Sequence, residues 1–315
     1  MCAALPRCPC VSHPVDKRGV AMIQCGYIGL GNIGKPMCAN LAKKAQQHGL
    51  AMHVFDIAPE PVAEMVALGA TSADSPEAIA RQCSLIGICV RHDGDVENLL
   101  YGDGERPGML AVAAKGTVMA IHSTVTRDGI LRWAKDAADK GLHIVDAPIT
   151  GGAGGAADGS LCIMAGGEEE AVARCQPMFA CTSKAVVYTG EVGNATVVKL
   201  ANNLMNYAAF SAISEGTALL RAAGVEVQAL FDVGAANGVV TPMMKQFIDG
   251  RDGMRAACSD EDMRAIFGPF ASLAEKDLDH ALALAGQLGI ALPQTTTVRR
   301  HIDAVFMATP ADVEP

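Results

Sequence analysis

Gly26-Tyr27-Ile28-Gly29-Leu30-Gly31-Asn32-Ile33-Gly34 joins an apolar, β-rich run over 22–28 to a helical pattern over 33–48. The glycines at 29, 31 and 34 have the G-x-G-x-x-G spacing of a dinucleotide-binding turn. In such a turn the first glycine allows the chain to reverse, the second lets a pyrophosphate approach the backbone, and the third lets helix and strand pack closely. The N-terminus of the following helix offers unpaired N–H groups and a favourable dipole to phosphate. Leu30, Asn32 and Ile33 supply the rest of the backbone that a dinucleotide would touch. In a chain with 33 glycines the spacing alone says little. Its context says more, because about 20 residues later the next strand ends on an acid, in Val54-Phe55-Asp56. An aspartate there accepts hydrogen bonds from ribose hydroxyls and repels a 2′-phosphate, so NAD is expected in preference to NADP.

Outward from this turn, short apolar runs alternate with helical patterns. Strands are expected at 22–28, 52–56, 84–90, 117–122, 143–146, 161–165 and 185–188, with helices at 33–48, 76–82, 127–140 and 168–179 between them. That alternation is the mark of βαβ units and a parallel sheet. After Gly193 the texture changes to helices, at 194–223, 227–235, 242–248 and 270–288. The expected fold is α/β, an N-terminal Rossmann-type doubly wound parallel sheet over 22–190 followed by an all-α domain over 191–315. A long interdomain helix enters the second domain, and 1–21 forms a disordered extension.

At 315 residues, 50% of them hydrophobic and 19% charged, the chain has material for two cores and does not resemble a disordered one. No apolar run approaches the ~18 residues of a membrane helix, and no membrane partner is expected. The 34 acidic against 25 basic residues give a formal charge of -9, and aromatic residues make up 4%. Neither a basic track nor a stacking platform is present, which argues against nucleic acid. Of the 11 cysteines, Cys25, Cys38, Cys83, Cys89, Cys162, Cys175, Cys181 and Cys258 are scattered through apolar or helical segments and read as buried free thiols of a reducing compartment, the cytoplasm. Cys2, Cys8 and Cys10 lie near His13, but no second ligand pair follows at metal spacing, so no metal is expected.

Two further stretches carry candidate chemistry. Asp146-Ala147-Pro148-Ile149-Thr150-Gly151-Gly152 leaves a strand for a loop of five glycines, running to Gly159, whose backbone N–H groups could cradle a carboxylate. In open α/β sheets ligands bind beyond such strand ends. Lys199 is the only charged residue between Glu191 and Glu215. An ammonium in so apolar a helix must reach solvent, find a partner elsewhere, or work as a proton acceptor with a depressed pKa. Asn203, four residues on, shares its helix face. His92, His122 and Asp158 show no spacing that argues for acid/base work, and a structural role is expected for them.

Together the glycine turn, the Asp-Ala-Pro-x-x-Gly-Gly loop, the Gly193…Lys199…Asn203 helix and the Lys276-Asp277 pair resemble the 3-hydroxyisobutyrate dehydrogenase branch of the β-hydroxyacid dehydrogenases, in order and over nearly the whole chain from Met22. The resemblance implies a substrate cleft between a Rossmann-type and a helical domain, and a homodimer or homotetramer. It places the general acid/base on Lys199, a substrate-binding amide on Asn203, and carboxylate binding on Thr150, Gly151 and Gly152. It also assigns cofactor contacts to Thr124 and Lys276. Without it, Lys276 beside Glu275 and Asp277 reads as a solvated charge. Thr150 stands where the family has serine, Ala195 where it commonly has glycine, and Arg91 where a proline is common.

The implied activity is transfer of a hydride between NAD and a small 3-hydroxy acid, similar to 3-hydroxyisobutyrate. Glycerate-forming reduction of tartronate semialdehyde is the nearest alternative, and a catalytically silent nucleotide-binding module the more distant one. The decarboxylating 6-phosphogluconate dehydrogenases have a longer helical domain. Imine reductases generally lack the lysine and prefer NADP.

Overall fold

The computed structural model describes residues 21–309, so the expected extension, with Cys2, Cys8, Cys10 and His13, lies outside the described residues apart from Ala21. The chain divides into two compact units, meeting in sequence between Thr196 and Val197, against the expected boundary at 190/191.

The first unit is built on a parallel sheet in the order β3-β2-β1-β4-β5-β6, formed by β1 (Ile23–Ile28), β2 (Leu50–Phe55), β3 (Thr71–Ser72), β4 (Leu85–Ile88), β5 (Val118–Ile121) and β6 (His143–Asp146). This is the doubly wound order expected of a dinucleotide-binding fold. Its helices are α1 (Gly34–Lys44), α2 (Pro59–Ala67), α3 (Pro76–Gln82), α4 (Asp93–Tyr101), α5 (Met109–Val112), α6 (Arg127–Ala138), α7 (Gly152–Asp158) and α8 (Glu169–Thr182). Both faces of the sheet are covered, as all-parallel sheets require. Tyr27 packs into a cluster with Met37, Leu41 and Phe179 on one side. Ile28, the next residue, packs with Ile79, Leu100 and Trp133 on the other. A second sheet, β7-β8-β9, comprises β7 (Ile149–Thr150), β8 (Leu161–Ala165) and β9 (Ser183–Tyr188). Here β7 runs antiparallel to β8 with Thr150 opposite Cys162, while β8 and β9 are parallel. The β7 pairing was not expected from the sequence.

The glycine-rich segment expected to be a loop is α7 in the structure. Poor helix formers are held there from outside. Asn40 of α1 donates its amide to the carbonyls of Ala156 and Ala157 at 2.8 and 2.9 Å, and Gly159 closes the helix in the left-handed conformation at φ 66°.

The second unit is helical. The helix α9 (Asn194–Ala222) begins in the first unit and continues into the second, followed by α10 (Val227–Asn237), α11 (Pro242–Ala257), α12 (Asp260–Gln287) and α13 (Pro293–Met307). Three helices differ from expectation, α11 by running to Ala257 rather than 248. α13 was not anticipated, and α12 starts at Asp260 rather than 270 because Ser259 and Asp262 form a capping box, with Pro269 tolerated inside the helix. Its core gathers Tyr207, Met263, Ala274, Leu278, Ile302 and Phe306. Among the described residues no helix is long and apolar enough to cross a membrane. Of the described cysteines, all free, Cys89, Cys162 and Cys258 are partly exposed rather than buried as expected.

Candidate active site

In the first unit, the turn after β1 is shaped by contacts that only glycine permits. Gly29 has φ 95°, and a Cβ there would lie 2.2 Å from the Cys89 carbonyl oxygen. A Cβ on Gly34 would lie 2.1 Å from the carbonyl oxygen of Gly29. Gly31 differs, being exposed with nothing within 4 Å of the position its Cβ would take. Turn and helix therefore fit each other closely, while the middle glycine leaves an open approach to the backbone. No side chain caps α1, which leaves its N-terminal N–H groups for a ligand. Asn32 is exposed, and Ile33 packs against the core below.

Asp56 closes this cradle. Its Oδ2 accepts from Leu30 N at 2.5 Å and its Oδ1 from Ala58 N at 2.8 Å. Each carboxylate oxygen has two acceptor sites, so both retain one for a ribose hydroxyl. Ile57 follows, 94% exposed and uncharged. An open backbone at Gly31, an uncapped helix and an acid with spare lone pairs fit a dinucleotide.

Beside the cradle, Ser123 Oγ donates to Val90 O at 2.8 Å and accepts from Val90 N at 2.9 Å, holding the segment after β4 against the segment after β5. Thr124 is the next residue and is half-buried. The backbone N–H groups of Arg91 and His92 both reach Asp95 Oδ2, so this segment keeps a defined shape without a proline at 91. Farther along, Thr150 ends β7 half-buried, and Gly151 and Gly152 follow exposed at φ 126° and 64°, values that favour glycine. His122 is 3% exposed, and its Nδ1–H donates to Ala147 O at 2.9 Å. Burial pulls its pKa down to about 4, so it is a neutral core residue.

In the second unit, Lys199 is half-buried on α9. Burial draws its pKa from the ordinary lysine value down to about 8; the Asp277 carboxylate opposes that shift and the Lys276 ammonium adds to it. Asn203, one turn on, donates its amide to Asp277 Oδ2 at 2.7 Å, and Tyr207, a further turn on, donates its hydroxyl to the same oxygen at 3.1 Å. Lys276 Nζ lies 3.0 Å from Asp277 Oδ1, and its side chain is 14% exposed. The reading of Lys276 as a solvated charge is thus corrected: α12 turns it inward beside a carboxylate. The structure brings together Lys199, Asn203 and Lys276, as well as Tyr207 and Asp277, which sequence reasoning did not assign a role. Tyr207 continues the four-residue spacing of Lys199 and Asn203, a signal present in the sequence. An amine that sheds its proton near neutral pH, beside an amide fixed by a buried carboxylate, can accept and return a proton and can orient a polar ligand.

Residues 24–190 match the family model described as the NAD binding domain of 6-phosphogluconate dehydrogenase, and residues 193–313 match that described as NAD-binding of NADP-dependent 3-hydroxyisobutyrate dehydrogenase. The chain is 32% identical over 278 residues to the 2-(hydroxymethyl)glutarate dehydrogenase of Eubacterium barkeri, covering 87% of this chain and 86% of that one. The chain belongs to the β-hydroxyacid dehydrogenase family. A second member, the 2-hydroxy-3-oxopropionate reductase of Escherichia coli K12, is 30% identical over 274 residues, 86% of this chain and 87% of the relative. The solved structure of the Mycobacterium tuberculosis 3-hydroxyisobutyrate dehydrogenase with L-serine superposes with a TM-score of 0.74 at 25% identity, covering 93% of this chain and 96% of that chain. This β-hydroxyacid dehydrogenase is accordingly an NAD(P)-dependent oxidoreductase acting on hydroxy acids, with a Rossmann-type domain and a helical one.

Proposed function

We propose that this enzyme interconverts a small 3-hydroxy acid, similar to 3-hydroxyisobutyrate, and its carbonyl product using NAD, with Lys199 as general acid/base. The observation that carries the reading is the half-buried Lys199 amine, drawn down to about 8 and facing the Asp277 carboxylate that holds Asn203. Gly29 to Gly34, Asp56, Thr124 and Lys276 would hold the dinucleotide. Bound there, it would supply the hydride-transfer chemistry of the reaction. Neutral Lys199 accepts the hydroxyl proton in oxidation, and its ammonium donates that proton in reduction. Thr150 and the backbone of Gly151 and Gly152 hold the substrate carboxylate, while Asn203 orients the reacting end. The acid at Asp56 and the uncharged Ile57 support NAD over NADP.

Glycerate and its oxidised partner are a second substrate pair, favoured by the likeness to the Escherichia coli reductase. A homodimer or homotetramer is part of the proposal. Met205 and Leu219 on α9 and Val239 after α10 are exposed apolar side chains that assembly would cover, and light scattering of the purified protein tests this. The free described thiols support a cytoplasmic location.

The deciding experiment is the initial rate of NAD reduction with 3-hydroxyisobutyrate, glycerate and other short hydroxy acids, with NADP controls. A strong rate with one compound names the substrate. Silence across the panel with NADH binding intact would overturn the reading.

A further inference from the structure

The helix that carries Lys199 does not cap itself. Gly193, immediately before α9, has no side chain and holds φ at 90°, so the usual hydroxyl or carboxylate acceptor for the first-turn N–H groups is missing. The acceptor comes from 47 residues earlier: Asp146 Oδ1 accepts from Gly193 N at 2.9 Å. Its Oδ2 accepts from Thr196 N at 2.8 Å and from the Thr196 hydroxyl at 3.2 Å.

The carboxylate is built in rather than incidental. Asp146 is 1% exposed. A Cβ on Gly166 would lie 2.5 Å from its Oδ1, so the chain opposite is glycine where the carboxylate passes. The backbone of Asp146 is fixed as well, exchanging N–H···O bonds with Gly166 at 3.1 and 2.9 Å. Residue 193 has no room for a local cap: it is buried, its φ of 90° favours glycine, and a Cβ there would lie 3.1 Å from Leu131 Cδ2. Drawing the acceptor from the end of β6 does something a local cap cannot, because it ties the start of α9 to one point of the sheet. Asp146 is also the residue from which the chain runs on through Ala147 and Pro148 to Thr150, Gly151 and Gly152. Lys199 lies three residues beyond Thr196, in the next turn of the helix.

We propose that Asp146 is a positioning residue for Lys199, holding the first turn of α9 in place so that the amine stays in its half-buried setting. The assignment of Lys199 as the acid/base is that of the proposed function; its dependence on Asp146 is separate and is tested separately. When the first turn loosens, the Lys199 amine gains access to water. Its pKa then climbs back toward the ordinary lysine value. The charged groups that face it, Asp277 and Lys276 on α12, are untouched by a change at 146, so such a shift reports desolvation.

The test compares wild type with Asp146→Asn and the milder Thr196→Ala, each first shown to be folded by NADH binding. Acetic anhydride labelling of Lys199, followed by peptide mass spectrometry across pH, reads the amine directly and needs no substrate. The midpoint is expected near 8 in wild type, to move alkaline in Asp146→Asn, and to move less in the same direction in Thr196→Ala. Amide deuterium exchange over 194–200 should quicken in the same order. With an active substrate, kcat per NADH-binding site should fall tenfold or more in Asp146→Asn, with NADH affinity within about twofold of wild type. Folded variants whose labelling midpoint matches wild type would overturn the proposal, whether or not exchange quickens. A wild type silent on every hydroxy acid would overturn the dehydrogenase reading alone, because the labelling comparison would still decide the role of Asp146.

Discussion

The Asn203 amide donates to Asp277 Oδ2 over 2.7 Å, joining α9 to α12 through a side chain that is 2% exposed. One carboxylate thereby serves three neighbours, since Tyr207 reaches the same oxygen and Lys276 lies against the other. The carboxylate that fixes the amide is also the one that opposes the lowering of the Lys199 pKa by burial, so a single group bears on both orientation and proton affinity.

Lys199→Ala should remove turnover while leaving dinucleotide binding unaffected. A positioned acid/base contributes about 10²–10⁴ in rate, and kcat is expected to fall by that range with NADH affinity within about twofold of wild type. Stopped-flow hydride transfer and fluorescence titration of NADH measure the two quantities, and a variant with near-normal kcat would remove the lysine from its role.

The pH dependence follows from the lowered amine. Oxidation needs neutral Lys199, so kcat/KM should rise about tenfold per pH unit well below the midpoint and level off above about 8. Reduction needs the ammonium and should decline above the same midpoint. Rates in both directions across pH check this, and parallel profiles would contradict it.

Substitutions on α12 should move that midpoint in opposite directions. Asp277 raises the pKa of Lys199 and Lys276 lowers it. Asp277→Asn is therefore expected to shift the oxidation profile acid, and Lys276→Met to shift it alkaline. Asp277→Ala should also cost about 1–3 kcal/mol of stability by leaving the buried Asn203 amide and Tyr207 hydroxyl without an acceptor, read as a lower midpoint in urea unfolding.

At the glycine turn, binding and folding should separate by position. Gly31→Ala meets nothing within 4 Å and should leave Tm unchanged while weakening NADH tenfold or more, through the pyrophosphate approach it obstructs. Gly34→Ala places a methyl 2.1 Å from the Gly29 carbonyl oxygen and should lower both affinity and Tm. Calorimetric melting with NADH titration distinguishes them.

Removing the acid at the end of β2 should relax cofactor choice. The wild type is expected to use NAD with the higher kcat/KM, and Asp56→Ser to narrow the ratio mainly by losing affinity for NAD. Equal kcat/KM for both cofactors in the wild type would overturn the assignment.

The sheet was legible because its signal is local. An apolar run, a glycine turn and a helix pattern recur along the first unit, and β6 and β8 fall on 143–146 and 161–165 as expected. α7 was not, since five glycines between 151 and 159 carry no helix propensity and the helix depends on Asn40, far away in sequence. α12 begins ten residues ahead of the expected 270, at the Ser259 capping box, and runs through Pro269. In the site, Lys199 stood out as an isolated charge. Asp277 did not, because its meaning lies in partners 70 and 74 residues away. Asp146 was legible as the end of a strand but not as the cap of a distant helix.

Thr150 and Cys162 face each other across β7 and β8. Cross-strand neighbours on one face stand about 5 Å apart at Cβ, so the bulk of residue 162 bears on the space around the Thr150 methyl. On the proposed role of Thr150, drift at 162, a residue on a paired strand outside the lysine helix, would exchange one hydroxy acid for another without touching Lys199. Divergence of substrate among otherwise similar chains would be gradual, and invisible to a comparison confined to catalytic positions.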